Sequence, residues 1–280
     1  MNFPLNLGIR AHDLGLIEMN QLIEKLNCYN LKHVQFAIKK SFPEVMDTYD
    51  KLTPGLATYY AEQFNKAGIK ISILGCYVNI IDRNVEKREI ALNDFIKHLS
   101  LSQSFNASMV ATETGSVGKG YTEENFTTKA FNEVVSSVRK LTTVAEKFGT
   151  IVAIEAGMNH PLHSAKLAYQ MIQEIQSPNL KIILDCANLI SIDNYERQSA
   201  VIEEALDLLD EHIVAMHIKD YVIKENKVEI VPVGTGEMQY EKILSFIKYK
   251  KPNLFVSLEA TREPALEKSL QLLKECYENV

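Results

Sequence analysis

Several large classes of protein are excluded by what is scarce in this chain. It holds only four cysteines, Cys28, Cys76, Cys186 and Cys276, with no two close together in sequence. That spacing suits neither a disulfide framework nor a cysteine-built zinc site, and reduced thiols are expected. No segment approaches the roughly 20 consecutive apolar residues of a membrane-crossing helix. Met1 to Arg10 has no basic stretch followed by a long apolar one, so a cytoplasmic protein with no membrane partner is expected. Basic charge is not in excess either: 30 Lys and Arg face 36 Asp and Glu, a net charge of −6, and the pI is near 5.7. Nucleic-acid binding draws most of its non-specific affinity from Lys and Arg on phosphate, so no nucleic-acid partner is expected. Low-complexity linkers and composition shifts are missing as well. The expectation is one domain over residues 1–280, and 46% hydrophobic residues are enough to give it a sizeable core.

What the chain does have is a rhythm. Short runs rich in Ile, Val and Leu recur at Leu5–Ile9, His33–Ile38, Lys70–Gly75, Ser108–Thr112, Ile151–Glu155, Lys181–Asp185, Ile213–His217 and Leu254–Glu259. Near-continuous apolar runs of this length suit parallel strands buried on both faces. Between them lie stretches with helical spacing, such as Leu16, Met19, Ile23 and Leu26, or Val134, Val138, Leu141 and Ala145. Gly68 and Gly149 stand where a left-handed cap would end a helix just ahead of a strand, and Ser177–Asn179 marks the same kind of stop. Strand then helix, repeated eight times, predicts an α/β fold, a (β/α)8 TIM barrel, with a doubly wound open sheet as the main competitor.

Four of the runs end abruptly in a residue that can bind a metal: Glu155, Asp185, His217 and Glu259. They are 30, 32 and 42 positions apart (155 to 185, 185 to 217, 217 to 259). In a parallel barrel, all strand C-termini open on one face, so these residues converge. Side chains alternate along a strand, which predicts that Ala153, Ile151, Ile183, Lys181, Ala215, Ile213, Ser257 and Phe255 also face the interior. A lone acidic residue after a strand is more often a helix cap or a solvated loop residue. Converging carboxylates are different, because they repel unless a cation or proton holds them. Three carboxylates and an imidazole suit one divalent ion, Mn2+, Mg2+ or Co2+, with Zn2+ also possible.

At these residues the chain resembles the xylose-isomerase-like sugar phosphate isomerase/epimerase superfamily. The resemblance is carried by IEAG (Ile154–Gly157), NLKIILDCANL (Asn179–Leu189), HIKDY (His217–Tyr221), VPVGTGEMQYEKIL (Val231–Leu244) and SLEAT (Ser257–Thr261), and extends to GIRAHD (Gly8–Asp13) and TETGS (Thr112–Ser116). It implies a (β/α)8 barrel whose metal ligands are Glu155, Asp185, His217 and Glu259. It also implies that Glu155 and Glu259 exchange a proton at the carbon beside a carbonyl, through an enediolate, in a small-molecule sugar or sugar phosphate. Relatives often form homo-oligomers. Two positions depart from the pattern: Asn188 stands where many relatives have a histidine, and Ile223 where some epimerases have an arginine. Asn188 can hydrogen-bond a hydroxyl, but it neither titrates nor ligates a metal well.

His12, Glu113, Asn188, Lys219 and His160 are the candidate substrate contacts. His12 and Glu113 follow from strand parity, with capping or solvation as the bland alternative. Lys219 lies two residues past His217 and could meet an anionic oxygen or simply pair with a carboxylate. His160 and His163 sit in the loop after the fifth run, and Arg262 is a further candidate anion anchor. Cys186 should face away from the metal. The VGTGE segment (Val233–Glu237), between a hairpin and a helix, lacks the setting of a dinucleotide fingerprint and reads as a flexible rim turn. Three alternatives to an isomerase or epimerase remain: a dehydratase of a keto-polyol, a phosphodiesterase resembling endonuclease IV, and a non-catalytic sugar-binding barrel.

Overall fold

A computed structural model describes residues 3–120 and 122–280; Met1 and Asn2, part of the segment inspected for a leader, lie outside the described residues, as does Tyr121. The strands are β1 (Leu7–Arg10), β2 (His33–Phe36), β3 (Lys70–Gly75), β4 (Met109–Glu113), β5 (Val152–Glu155), β6 (Leu180–Asp185), β7 (Ile213–Ile218), β8 (Asp220–Lys224), β9 (Lys227–Val231) and β10 (Phe255–Leu258). Eight of them close in the order β1-β10-β7-β6-β5-β4-β3-β2, every pair parallel, and each falls on one of the apolar runs. Closure rules out the open sheet. β8 and β9 form a separate antiparallel hairpin.

The helices are α1 (Met19–Cys28), α2 (Ile38–Ser41), α3 (Pro54–Lys66), α4 (Val85–Leu101), α5 (Thr128–Phe148), α6 (Ala165–Ile175), α7 (Gln198–Leu209), α8 (Glu241–Tyr249) and α9 (Leu266–Asn279). Four of them start on side-chain caps from Thr53, Asn84, Thr127 and Ser164, each accepting a backbone N–H of the first turn. Gly149 ends α5 at φ 62°, and Gly68 follows α3 at φ 71°, both in the left-handed region. Ahead of β6, however, the left-handed stop is Gln176, at φ 55°, one residue before Ser177–Asn179. Among the described residues no helix is long and apolar enough to cross a membrane.

The core has two parts. A large outer layer fills the space between strands and helices, and a small inner cluster of Ile73, Met109, Ala111, Ala153, Ile183 and Ala215 fills the lumen, with Ile151 and Phe255 against it. Strand parity anticipated Ala153, Ile183 and Ala215 of that inner set, and Ile151 and Phe255 against it. It fails at Ile213, which joins the outer layer while Val214 packs toward the lumen. The reason is a register shift: Ile182 pairs with Ile213 but Ile183 pairs with Ala215, so β7 carries one extra residue and its alternation slips.

Lower in the barrel, His33 is buried between Ser72 Oγ, 2.8 Å from Nδ1, and the Asn6 carbonyl, 3.1 Å from Nε2. Its ring presses so closely on β1 that a Cβ on Gly8 would lie 2.3 Å away, which requires glycine there. Burial holds His33 neutral, its pKa lowered to about 4, and does the same to His98 on the buried face of α4. An unfolded imidazole titrates near 6.5, so the unfolded chain takes up these protons first as pH falls. The contribution of each histidine is intact above pH 6.5 and is lost progressively toward pH 4, by roughly 3 kcal/mol apiece. Urea midpoints should therefore drop across that window, and less steeply in His33→Gln. Identical slopes in the two proteins would contradict this assignment.

Candidate metal centre

Glu155 and Asp185 are the last residues of β5 and β6, His217 is the penultimate residue of β7, and Glu259 directly follows β10. All four are buried, and one potential ligand atom from each lies within 4.8 Å of the others. Adjacent strands in register produce this meeting: Asp185 pairs with His217, and Ser257 does so from the other side.

The cluster has an inner and an outer face. On the outer face each carboxylate has a protein donor. Asn188 donates its side-chain amide to Glu155 Oε1 at 2.7 Å and its backbone N–H to Asp185 Oδ1 at 3.1 Å. The Lys219 ammonium stands 2.7 Å from Glu259 Oε1, 3.1 Å from Asp185 Oδ2 and 4.0 Å from Glu155 Oε1. Arg10 reaches the same Glu259 oxygen at 2.5 Å while its Nε holds Asp13 at 2.7 Å. On the inner face, His217 Nδ1 lies 3.1 Å from Glu155 Oε2 and 3.0 Å from Glu259 Oε2. Neither His217 Nδ1 nor Asp185 Oδ2 makes an aligned hydrogen bond, although both are buried. Buried polar atoms are almost always satisfied. A donor set of three carboxylates and one imidazole nitrogen, buried together with two of its atoms lacking an aligned hydrogen bond, fits a divalent ion.

The electrostatics follow from the crowding. Burial pushes the Asp185 carboxyl up to about 6, with Lys219 pulling against it. Burial also pushes Glu259 up, but His217, Lys219 and Arg10 together outweigh it and hold the carboxyl well below the usual range. For His217, burial favours the neutral ring, yet Glu155 and Glu259 overcome it and raise the imidazole to about 10.

The remaining sequence candidates are spread around this centre. Asn188 has both ends of its amide engaged inside the protein, donating to Glu155 and accepting from Lys219 Nζ at 3.1 Å. His12, in the turn after β1, is half-buried, has no partner for Nδ1, and is lowered to about 4 by burial and by Arg10. Glu113 ends β4 in register with Glu155; burial and Glu155 raise its carboxyl. His160 faces it, with Nε2 3.7 Å from Glu113 Oε2 and Nδ1 2.8 Å from the Gly115 carbonyl. His163 instead packs edge-on against Phe126, and Arg262 leans on Asp13 at 3.4 Å. Cys186 is buried and its thiol pushed up, which suits an inert residue.

The VGTGE segment is not a flexible rim turn. The buried Asp220 carboxylate accepts the backbone N–H groups of Gly234, Gly236 and Met238, each at 2.9 Å, as well as that of Tyr221. Gly236 packs so tightly on Asp220 and on the Tyr221 carbonyl that a Cβ would overlap both. Gln35 and Tyr77 are the other residues not anticipated: Gln35 Oε1 lies 2.6 Å from His217 Nε2, and the Gln35 amide donates to the Tyr77 hydroxyl. Parity with His33 on β2 would have placed Gln35 inward; Tyr77, in the loop after β3, carries no such signal.

Residues 23–276 match the family model of the xylose isomerase-like TIM barrel. The chain belongs to that family. No curated protein is matched by the sequence. Among solved structures, this xylose isomerase-like barrel is similar to a D-tagatose 3-epimerase-like protein, at 17% identity over 99% of this chain and 98% of that one, with a TM-score of 0.75. It is also similar to the 3-keto-D-glucoside 4-epimerase YcjR of E. coli, at 14% identity over 97% and 100% of the chains, TM-score 0.73. A third is the probable 3-DHS dehydratase AsbF of Bacillus anthracis, at 16% identity over 96% and 98%, TM-score 0.72. At such identities the likeness is one of fold.

An imidazole must be neutral to ligate a metal, and His217 in the metal-free protein is raised to about 10. Binding of Mn2+ near pH 7 should thus release about one proton from this ring, and affinity should rise with pH up to about 10. Calorimetry in buffers of different ionisation enthalpy measures the proton count. Binding that releases none and is flat with pH would contradict the assignment.

Proposed function

We propose that this barrel is a divalent-metal-dependent isomerase or epimerase of a sugar or sugar phosphate, moving a proton at the carbon beside a carbonyl. The observation that carries the proposal is the inner face: Glu155 Oε2 and Glu259 Oε2, from separate strands, flank His217 Nδ1 at 3.1 and 3.0 Å, in a buried cluster whose potential ligand atoms, Asp185 included, lie within 4.8 Å of one another. Glu155, Asp185, His217 and Glu259 would hold one Mn2+, Mg2+, Co2+ or Zn2+ ion. When bound, the ion supplies Lewis acidity: it polarises a carbonyl and neighbouring hydroxyl and stabilises the charge that develops on their oxygens as the carbon-bound proton leaves.

The chain's own residues do the rest. Glu155 and Glu259 approach from different strands, so one removes the proton and the other returns it. Asn188 keeps Glu155 oriented through its 2.7 Å hydrogen bond. Lys219 and Arg10 keep Glu259 in place, and the Lys219 ammonium offers positive charge to a substrate oxygen. His12, Glu113 and His160 contact the substrate's hydroxyls from the rim.

Dehydration is the second reading, because it begins with the same proton removal, and Lys219, 2.7 Å from Glu259, could protonate a departing hydroxyl. A phosphodiesterase is disfavoured, since that chemistry uses several metals and further histidines, whereas Asn188 stands in place of one ligating side chain. Among the described residues, the four-residue cluster is the one group so arranged.

The test is solvent exchange. Metal-restored protein incubated in D2O with free and phosphorylated ketoses should place deuterium on the carbon beside the carbonyl of its substrate, seen by NMR. Glu155→Gln and Glu259→Gln should each slow this by about 100-fold or more. Loss of a hydroxyl from the product would select the dehydratase. A panel without exchange or elimination, metal restored, would contradict both.

A further inference from the structure

We infer that Gln35 is a positioning residue, which fixes the nitrogen that His217 turns to the ion. The inference rests on the metal reading proposed above. A neutral imidazole carries one N–H, and the nitrogen that keeps it cannot ligate. For Nδ1 to face Glu155 and Glu259 with a free lone pair, the proton must sit on Nε2. Gln35 provides the acceptor that selects this tautomer: its carbonyl Oε1 lies 2.6 Å from Nε2, and both side chains are buried.

An amide has two ends, and the wrong one would undo this. Rotated by half a turn, Gln35 would present its NH2 to Nε2. The proton would then move to Nδ1, aimed between two carboxylates where the ion belongs. In the structure the NH2 end is turned to the Tyr77 hydroxyl, which accepts from it, and Oε1 is left for Nε2. Tyr77 is itself confined: its ring lies against Gly75, where a Cβ would come within 2.8 Å, and under the Lys40 ammonium, 3.9 Å from the ring centroid.

Ordinary alternation on β2 brings Gln35 to the same face as His33, and the irregularity lies on the neighbouring strand. Between β2 and β3 the register shifts at Val34 and Gln35: Val34 pairs with Ile71 but Gln35 with Ile73. The extra residue on β3, Ser72, is absorbed by hydrogen bonds to His33 and to the Val34 carbonyl. The Gln35 side chain keeps the inward parity of His33 and reaches a candidate metal ligand on β7.

The experiment measures Mn2+ affinity of the stripped full-length chain at one fixed pH, by calorimetry, alongside the urea midpoint of the metal-free protein. Gln35→Met removes the acceptor at similar volume and should weaken Mn2+ binding by about 10- to 100-fold. Gln35→Glu keeps an acceptor for Nε2–H and accepts in turn from the Tyr77 hydroxyl, so its affinity should stay within about threefold of wild type. Wild-type affinity in Gln35→Met, or a Gln35→Glu variant as weak as Gln35→Met, would overturn the inference. Should Gln35→Met fail to fold, Gln35→Leu, which also removes the acceptor, decides: weakened binding supports the inference and unchanged binding overturns it. Wild-type protein that takes up no Mn2+ would sink the metal reading and this inference together, a result distinct from a Gln35→Met variant that binds as well as wild type.

Discussion

Three carboxylates, Glu155, Asp185 and Glu259, meet with His217 inside the barrel mouth, each with a potential ligand atom within 4.8 Å of the others, and their mutual repulsion is the constraint around which the surroundings are organised. Charge buried in this way is tolerated only when it is paired and hydrogen-bonded. The protein meets the condition on the outer face with fixed donors: Asn188 on Glu155, Lys219 between Glu259 and Asp185, and Arg10 on Glu259. Arg10 is itself braced by Asp13, which also accepts the backbone N–H of Ala260 next to Glu259. The inner face, where His217 Nδ1 lies between Glu155 and Glu259, is where the proposed divalent ion would sit. This division keeps the ligands in place while leaving room for a reaction.

The fold makes the constraint possible. Parallel closure brings strand ends that are far apart in sequence to one face, and small residues below them, Ala111, Ala153 and Ala215, leave the lumen compact. Two register shifts, one at β2 with β3 and one at β6 with β7, break strict alternation on strands that contribute to the site. The Asp220 carboxylate ties the loop after the hairpin to the residue next to Lys219. The rim near the centre is therefore stiff where glycine content alone would read as loose.

Much of this was legible in the sequence because it depends on periodicity. An apolar run that stops at Glu, Asp or His announces both a buried strand and the identity of its mouth residue, so Glu155, Asp185, His217 and Glu259 could be named and brought together from spacing alone. Parity carried Lys219 and the lumen residues Ala153, Ile183 and Ala215 for the same reason. It failed at Ile213, because a bulge changes alternation without leaving a mark in hydrophobicity. Asp220 was illegible since its partners are backbone N–H groups, which every sequence has. Asn188 was readable as a polar neighbour of the site, but not as a brace, because which contacts an amide makes depends on distances that only the folded chain sets. Gln35 was within reach of parity; Tyr77 was not, lying in a loop where no period applies.

The most direct measurement of the central claim is the position of the ion itself. A crystal grown with Mn2+ and measured for anomalous scattering should show one strong peak at the barrel mouth, about 2.0–2.3 Å from an oxygen of each of the three carboxylates and from Nδ1 of His217. A mouth without a peak, or a peak that His217 meets through Nε2, would contradict the account.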